Sequence, residues 1–157
     1  MPKRSAGLLL YRATPDGVLE VLAVHPGGPL WQNKDEGVWS IPKGEVEGDD
    51  DPAATADREF AEELGVPAPA GARIDLGEIT QRSGKRVRAW AVAGDLDVTT
   101  VESNSFEMEW PRRSGRIGSF PEIDRAAWFD VPTARAKLNE AQGAFLDRLT
   151  LALEGGD

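Results

Sequence analysis

Three glutamates near the middle of the chain have a spacing that could support chemistry. Glu59, Glu62 and Glu63 stand at positions i, i+3 and i+4, and on a helix this spacing puts three carboxylates on one face. Like charges held this close repel one another, so the arrangement lowers stability. A divalent cation would remove the repulsion, and ligands that are all oxygen suit Mg²⁺ or Mn²⁺ better than zinc.

The residues around these glutamates predict a short helix with clear ends. Asp51 is a good N-cap residue, and Pro52 suits the first helical position. Gly65 can cap the C-terminus, and Pro67 prevents the helix from continuing. The residues expected to form the buried stripe of this helix are Ala53, Ala56, Phe60 and Leu64.

Extended segments are predicted on both sides of the helix. Residues 5–12 and 18–25 are joined by an Asp16-Gly17 turn and should form a hairpin. Further strands are expected at residues 39–41, 74–81, 86–94, 106–110 and 126–129, a loop at 111–121, and helices at 132–138 and 140–153. Mixed strands with one mid-chain helix and a helix at the C-terminus indicate an α+β fold.

Length and charge narrow the possible functions. A chain of 157 residues is expected to form one domain, residues 1–157. Its 18 basic and 27 acidic residues give a net charge of −9, which argues against nucleic acid as a partner, because such binding depends on Lys and Arg neutralising phosphates. An acidic protein that handles an acidic substrate needs a cation between them, which favours a metal-bridged site.

The cysteine content and the lengths of the apolar runs bear on location. The chain has no cysteine, so it can form neither a disulfide nor a thiolate metal site. This composition fits a reducing cytosol, and we expect a cytoplasmic protein. The apolar runs are too short to span a bilayer, so no membrane partner is expected.

The segment from Gly44 to Val66 resembles the Nudix box, whose pattern is G-x(5)-E-x(7)-R-E-U-x-E-E-x-G-U, with U an apolar residue. The residues that match it at the required spacing are Gly44, Arg58, Glu59, Phe60, Glu62, Glu63, Gly65 and Val66. The preceding run from Trp39 to Lys43 also resembles the family's approach to the box. Asp50 departs from the pattern, which has glutamate at that position.

The resemblance implies an α/β/α sandwich around a mixed β-sheet and a metal-dependent hydrolase. It implies that Glu59 and Glu63 bind Mg²⁺ or Mn²⁺, together with the backbone carbonyl near Lys43. Glu62 would be a further ligand or would orient water, and the identity of the general base is left open. Water would attack phosphorus in a nucleoside diphosphate linked to another group, such as a nucleoside triphosphate or a dinucleoside polyphosphate.

The departure at Asp50 concerns the box arginine. In the family the glutamate at this position supports that arginine, so the resemblance implies a pair between Asp50 and Arg58. Asp50 is one methylene shorter than glutamate, so we expect weaker order around Arg58, for which Asp49 and Asp51 could compensate. An alternative is a catalytically weak or inactive module of the same fold that binds or senses a nucleotide.

A remote acid is also implied by the resemblance. Some family members complete the metal site with a glutamate six residues before a late tryptophan. Glu122 lies six residues before Trp128, so Glu122 is the favoured further metal ligand. Glu107 and Glu109 are rivals, and an ordinary loop acid is the simplest alternative.

Substrate contacts are expected at the start of the box and in an arginine-rich loop. The residues concerned are Lys43, Gly44, Arg112 and Arg116, although the arginines could equally form a solvated surface. Aromatic residues that could either stack on a nucleobase or belong to the core are Tyr11, Trp31, Trp90, Phe106 and Trp110. His25, the single histidine, is expected to end a strand without a metal or catalytic role.

The strand layout and the position of Glu122 are similar to those of bacterial mutator-type pyrophosphatases and asymmetrical dinucleoside tetraphosphate hydrolases. The segment from Thr80 to Gly84 lacks the tyrosine or proline that marks some family members acting on dinucleoside polyphosphates or ADP-ribose. The expected partner is a small nucleotide substrate, and the protein could be a monomer or a homodimer. A third hypothesis is removal of the diphosphate from RNA 5′ ends, which would require the arginine loop to form a basic groove.

Overall fold

A mixed six-stranded sheet with helices on both faces is the main element of the structure. The structure is a computed structural model, and it describes residues 3–155. The strands are β1 (Arg4–Ala13), β2 (Leu19–Pro26), β3 (Lys43–Glu45), β4 (Ile74–Thr80), β5 (Arg86–Ala93), β6 (Ser105–Glu109), β7 (Ile117–Pro121) and β8 (Ile123–Asp130). The helices are α1 (Pro52–Leu64), α2 (Val131–Lys137) and α3 (Gly143–Glu154). Within the described residues, no helix is long and apolar enough to cross a membrane.

Strand β1 lies at the centre of the sheet and gives it its mixed character. The strand order is β4-β5-β1-β2-β8, and β3 pairs with β1. β1 runs parallel to β5 along most of its length, from Arg4 beside Arg86 to Tyr11 beside Ala93. The other pairs in this sheet are antiparallel, and they include the predicted hairpin of β1 and β2.

The segment from Ser40 to Glu45 is inserted between β1 and β2. Ser40 pairs with Val24 of β2, while β3 pairs with the first half of β1. Gly7 of β1 permits this close approach, because a Cβ there would lie 2.5 Å from the carbonyl oxygen of Pro42. The insertion therefore holds the start of the acidic segment against the central strand.

Alternate residues of β1 face two separate cores. On one face, Leu8 and Leu10 pack with Phe60 and Leu64 of α1. On the other face, Leu9 belongs to a core that α2 and α3 complete. Helices thus cover both faces of a mixed sheet, and the predicted α+β fold with an α/β/α sandwich is confirmed.

Strands β6 and β7 form a separate two-stranded sheet, which we call the arm (residues 105–121). The prediction of a loop over residues 111–121 is therefore wrong for residues 117–121. Phe106 and Phe120 lie opposite each other across the arm, and such cross-strand pairs stabilise a hairpin. Phe106 also packs onto Gly28, where a Cβ would lie 2.7 Å from the aromatic ring.

The helices differ from the predictions in detail. The C-terminal helix begins at Gly143, because residues 140–142 form a 3₁₀ turn that Asn139 caps. In α1, Thr55 is buried, whereas Ala53 is only half-buried. Leu153, expected on the buried side of the last helix, is 39 % exposed.

Candidate functional site

Helix α1 carries the acidic residues, and both of its ends are fixed as the sequence predicts. The Asp51 side chain accepts a hydrogen bond from the backbone N–H of Ala53 at 3.4 Å, and Pro52 opens the helix. Gly65 ends the helix in a left-handed conformation with a φ of 75°, which glycine adopts without strain. The two caps fix the ends of α1, and its buried residues Ala56, Phe60 and Leu64 pack it against the sheet.

Glu59 faces β3 and fills the space beside Gly44. A Cβ at Gly44 would lie 2.1 Å from the carboxyl carbon of Glu59, so a larger residue could not be accommodated without displacement. Burial raises the pKa of Glu59, the charge of Glu62 raises it further, and Arg58 opposes both effects. Glu59 is therefore held where its negative charge is unfavourable without a cationic partner.

Arg58 is surrounded by three carboxylates. Its guanidinium nitrogens lie 3.8 Å from Asp50, 3.7 Å from Glu59 and 3.9 Å from Glu62. The expected pair with Asp50 is present at ion-pair distance, but the separation is too long for a hydrogen bond. Because the Arg58 side chain is 48 % exposed, solvent screens these attractions. Arg58 therefore orients the acidic face without neutralising it.

Glu63 and Lys43 lie next to each other, and both have strongly perturbed acidity. Burial raises the pKa of Glu63 to about 8, and the opposing contributions of Lys43 and its backbone N–H are smaller. Burial also lowers the pKa of Lys43, and the charge of Lys85 lowers it further. Neither charge is fully compensated by its neighbour, which is the electrostatic pattern of a site that receives ions.

Glu122 approaches the same region from the junction of β7 and β8. Its charge contributes to the raised pKa values of Glu59 and Glu63, so Glu122 lies within electrostatic range of both. The Glu122 backbone is fixed on both sides, because its N–H donates to the Asn104 carbonyl and its carbonyl accepts from the Gly27 N–H, each at 2.8 Å. The structure thus brings Glu122 together with the acidic face of α1.

The rival acids and the predicted substrate arginines lie in the arm. The Glu109 carboxylate accepts hydrogen bonds from two backbone N–H groups at the arm tip, at 3.0 and 3.1 Å. Glu107 is exposed in β6. Arg112 and Arg116 are exposed at the tip of the arm. The arm base, where Ser105 pairs with Pro121, is roughly 14 Å away, because each of four strand residues advances about 3.4 Å. Arg112 and Arg116 therefore lie away from the region where Glu122 meets α1.

The donor set at α1 fits a hard divalent cation. Glu59, Glu63 and Glu122 offer only carboxylate oxygens, and the charge of Glu122 acts on the other two. The Glu62 side chain is 47 % exposed beside Arg58. Within residues 3–155 no three such side chains converge closely enough to hold a metal ion as they stand. Sharing one cation would therefore require side-chain rotation at an otherwise assembled site.

A cleft of about 340 Å³ opens beside Glu63 and Lys43. Its walls combine apolar side chains, an exposed aromatic ring and neutral polar groups. The lining residues are Val24, Pro26, Trp31, Val38, Trp39, Ser40, Ile41, Lys43, Glu63, Gln81, Ile123, Asn139 and Gln142. A mostly apolar cleft with a charged end can receive a ligand that has both a flat ring and phosphates.

Of the five aromatic candidates from the sequence, the cleft contains Trp31. This residue is 38 % exposed, and the Lys34 ammonium nitrogen lies 5.1 Å from the ring centroid. The other four lie elsewhere, Tyr11 and Trp90 on the central sheet and Phe106 and Trp110 in the arm. Among these five residues, Trp31 is therefore the aromatic ring available to a ligand in this cleft.

The Trp31 loop, residues 27–38, is anchored where it returns to the sheet. Trp39 donates a hydrogen bond from Nε1 to Asp35 at 2.8 Å, and Lys137 pairs with the same carboxylate. The fully buried His25 donates from Nε2 to the Lys34 carbonyl oxygen at 2.6 Å. His25 lies at the end of β2, as the sequence predicts, and its hydrogen bond to Lys34 holds the loop against this strand.

Sequence reasoning missed the polar wall of the cleft. Ser40, Gln81, Asn139 and Gln142 come from four separate segments and meet only in the folded chain. No fixed spacing links such residues, so no sequence signal could have identified them. Lys85, whose charge acts on Lys43, was missed for the same reason.

Known proteins show the same architecture. Residues 1–149 match the model of the family described as NUDIX domain. An Ap4A hydrolase of C. elegans in a binary complex is 21 % identical, with a TM-score of 0.67 and coverage of 98 % of each chain. The NUDIX domain of Shewanella oneidensis NrtR complexed with ADP ribose is 14 % identical, with a TM-score of 0.61 and coverage of 98 % of this chain and 89 % of that one. At these levels of sequence identity, the similarity establishes a shared fold.

Two further proteins are similar to this chain. A MutT protein from Methanosarcina mazei Go1 is 18 % identical, with a TM-score of 0.61 and coverage of 98 % of this chain and 96 % of that one. An octanoyltransferase of Myxococcus xanthus is 33 % identical over 103 residues, which are 65 % of this chain and 25 % of the relative. The chain thus spans about a quarter of the length of this curated relative, a share too small to transfer its activity.

Proposed function

Because the chain belongs to the Nudix family, we propose that it is a pyrophosphohydrolase that depends on a divalent cation. Residues 1–157 would form its single domain. Its substrate is a nucleoside diphosphate linked to another group, and the bond that it cleaves is a phosphoanhydride. Family membership supports the reaction class. The observation that carries the proposal is the adjacency of Glu63 and Lys43 at the charged end of the cleft.

The acidic face of α1 is proposed to hold Mg²⁺ or Mn²⁺. Glu59, Glu63 and Glu122 would be the ligands, together with the backbone carbonyl near Lys43, and Glu62 would complete the set or orient water. When bound, such a cation neutralises diphosphate charge and lowers the pKa of bound water. The mutual repulsion of the carboxylates supports this role, because a cation would relieve it.

Lys43 and Gly44 are proposed to meet the diphosphate. The Lys43 side chain lines the cleft, and burial together with the nearby charge of Lys85 makes its protonated form less favourable. A phosphate between the two lysines would reverse that effect. Gly44, which follows Lys43 and packs against Glu59, would contribute its backbone. Arg112 and Arg116 are proposed as contacts only for a substrate long enough to reach the arm.

Hydrolysis at this site requires one proton transfer and one displacement at phosphorus. A water oxygen forms a bond to phosphorus, its proton passes to a carboxylate, and the bond to the bridging oxygen breaks. The leaving group departs as a phosphorylated product. Glu59, Glu62 and Glu63 remain alternatives for the proton acceptor, and the pH profiles of their Gln variants would distinguish them.

The first experiment measures release of phosphate or pyrophosphate from a panel of nucleotides with Mg²⁺, Mn²⁺ or EDTA. The panel includes normal and damaged nucleoside triphosphates, dinucleoside polyphosphates, nucleotide sugars and ADP-ribose. We expect turnover that EDTA abolishes and that Glu63→Gln removes. Glu78→Gln, which changes an exposed carboxylate of β4, is the matched control and should remain active. Turnover that persists in EDTA would contradict the proposal.

A binding module without turnover is the second candidate. It is favoured by the 3.8 Å separation of Arg58 and Asp50, which leaves the box arginine without the hydrogen bond that a longer acid could make. This candidate predicts that nucleotides raise the melting temperature without phosphate release. Asp50→Glu should then restore turnover, and a variant that stays inactive would show that another residue limits the site.

A further inference from the structure

We propose that Gln81 determines which nucleobase the cleft accepts, because the fold holds its amide with the NH₂ group available to a ligand. This inference rests on the proposed function, since it concerns the base end of the nucleotide substrate. It is carried by hydrogen bonds that fix the orientation of two amide side chains. The orientation follows from a backbone N–H, whose role as a donor is fixed.

The amide of Gln142 is oriented first. Gln142 is fully buried, and the backbone N–H of Ile41 lies 3.0 Å from its side chain. Because that N–H can only donate, the Gln142 atom facing it must be Oε1. The Nε2 atom then faces two acceptors, Ser40 Oγ at 3.0 Å and Gln81 Oε1 at 3.1 Å. Ser40 is free to accept because its own hydroxyl donates to the Ile41 carbonyl.

The amide of Gln81 is oriented as a consequence. Its oxygen must face the Gln142 N–H, so its NH₂ group points away from Gln142. Within residues 3–155 that NH₂ group makes no hydrogen bond shorter than 3.5 Å. The Gln81 backbone is also fixed, because its N–H and carbonyl both bond across the β4–β5 turn. The half-buried side chain therefore presents a rigid pair of donors to the cleft.

The position of Gln81 in the cleft suits the base end of a nucleotide. Lys43 and Glu63 occupy the charged end, which the phosphates and their cation require. The rest of the wall is apolar, apart from neutral amides and Ser40, and it includes the Trp31 ring. A flat heterocycle can pack on apolar and aromatic surface while its edge meets Gln81.

A rigid NH₂ donor selects bases by the group at their edge. Guanine presents O6 and thymine presents O4, and both are acceptors, whereas adenine and cytosine present amino donors at these positions. Two donors that face each other leave both groups without a partner, which disfavours the wrong base. The cleft should therefore prefer keto bases over amino bases.

The test compares kcat/KM for dGTP, dTTP, dATP and dCTP, which share one sugar and one triphosphate. We expect the wild-type protein to prefer dGTP and dTTP by about tenfold. Gln81→Glu keeps an oxygen for Gln142 and replaces the NH₂ donor by an acceptor, so it should reverse the ratio towards dATP and dCTP. Gln81→Leu should remove the discrimination.

The matched control is Thr80→Glu, which adds the same charge at the exposed neighbouring position in β4. It should slow all four substrates equally and leave the keto-to-amino ratio unchanged. A ratio that is the same in wild type and Gln81→Glu would overturn the role of Gln81. If Gln81→Leu does not fold, the comparison of wild type with Gln81→Glu decides alone.

Binding measurements separate this inference from the proposed function. Calorimetric titration of dGMP, dTMP, dAMP and dCMP reports base preference without turnover. Selective binding of keto bases by a protein that hydrolyses none of the substrates would support the role of Gln81 and contradict the proposed hydrolase activity. Hydrolysis without base preference would support the enzyme and overturn the role of Gln81. Failure to bind any of the four would also overturn it.

Discussion

The imidazole Nδ1 of His25 lies 2.9 Å from the Oδ1 atom of Asp124, and this contact joins two walls of the cleft. His25 also binds the Lys34 carbonyl of the Trp31 loop. Asp124 follows Glu122 by two residues at the start of β8. The buried His25 ring thus fixes the Trp31 loop relative to β8, the strand that follows Glu122.

Replacing this ring should loosen the loop more than it alters the chemistry. His25→Phe keeps a flat aromatic ring at this position but removes both hydrogen bonds and leaves Asp124 without its histidine partner. We expect the free energy of unfolding to fall by about 1–3 kcal/mol and KM to rise more than kcat falls. Denaturant unfolding and hydrogen exchange at residues 34–37 would measure this. Exchange rates unchanged from wild type would refute the anchoring role.

Gly44→Ala should damage both stability and activity. The added Cβ would overlap the Glu59 carboxyl group, which lies 2.1 Å from its position, so either β3 or α1 must move. We expect a loss of about 1–3 kcal/mol in unfolding free energy and a large fall in kcat. Gly143→Ala is the control, because its Cβ would meet its nearest neighbour at an ordinary 3.5 Å. Equal stability of the two variants would contradict the predicted clash.

The stability of the cation-free protein should fall as pH rises. Burial raises the pKa of Glu63 to about 8 from an ordinary value of 4.5. Between these pH values the folded state binds more protons than the unfolded state, so the free energy of unfolding decreases with increasing pH. Glu63→Gln should remove this dependence and, in EDTA above pH 8, be more stable than wild type by on the order of 2 kcal/mol.

Thermal unfolding in EDTA at a series of pH values would test this prediction. The two proteins should converge below pH 4.5, where Glu63 is protonated in the unfolded state as well as in the folded state. Glu78→Gln serves as the control for loss of one carboxylate. A Glu63→Gln protein that is less stable than wild type at high pH would show that the Glu63 charge has a stabilising partner in the folded state.

Removing the arginines at the arm tip should leave small substrates unaffected. Arg112 and Arg116 are separated from the arm base by roughly 14 Å, and the base is where Glu122 joins the acidic face. The double variant Arg112→Ala, Arg116→Ala should retain kcat/KM for a nucleoside triphosphate within about twofold, since exposed charges act weakly in salt. A drop beyond tenfold at physiological salt would show that the arm folds over the cleft.

The sequence predicted α1 almost to the residue because its signals are local. Asp51 and Gly65 act through neighbouring backbone groups, and the box residues lie within one helix and the loop that precedes it. The hairpin of β1 and β2 was predictable for the same reason. The pairing of Asp50 with Arg58 was also anticipated, because both residues belong to the same motif.

The remaining features depend on contacts between distant segments. β7 was missed because Gly118 and Ser119 are poor strand residues in isolation, and pairing with β6 stabilises them. The orientation of Gln81 depends on Gln142, sixty-one residues away. Such relationships have no spacing in the sequence, so only the assembled sheet and helices reveal them.

The central position of β1 has a consequence for biosynthesis. Arg4 pairs with Arg86 in a parallel ladder, so one edge of the first strand stays unpaired until β5 has left the ribosome. Pairing between such distant segments slows folding and exposes an open strand edge to aggregation in the meantime. Glu122 lies beyond β5 in the chain, so a nascent chain that stalls before β5 cannot complete the acidic site.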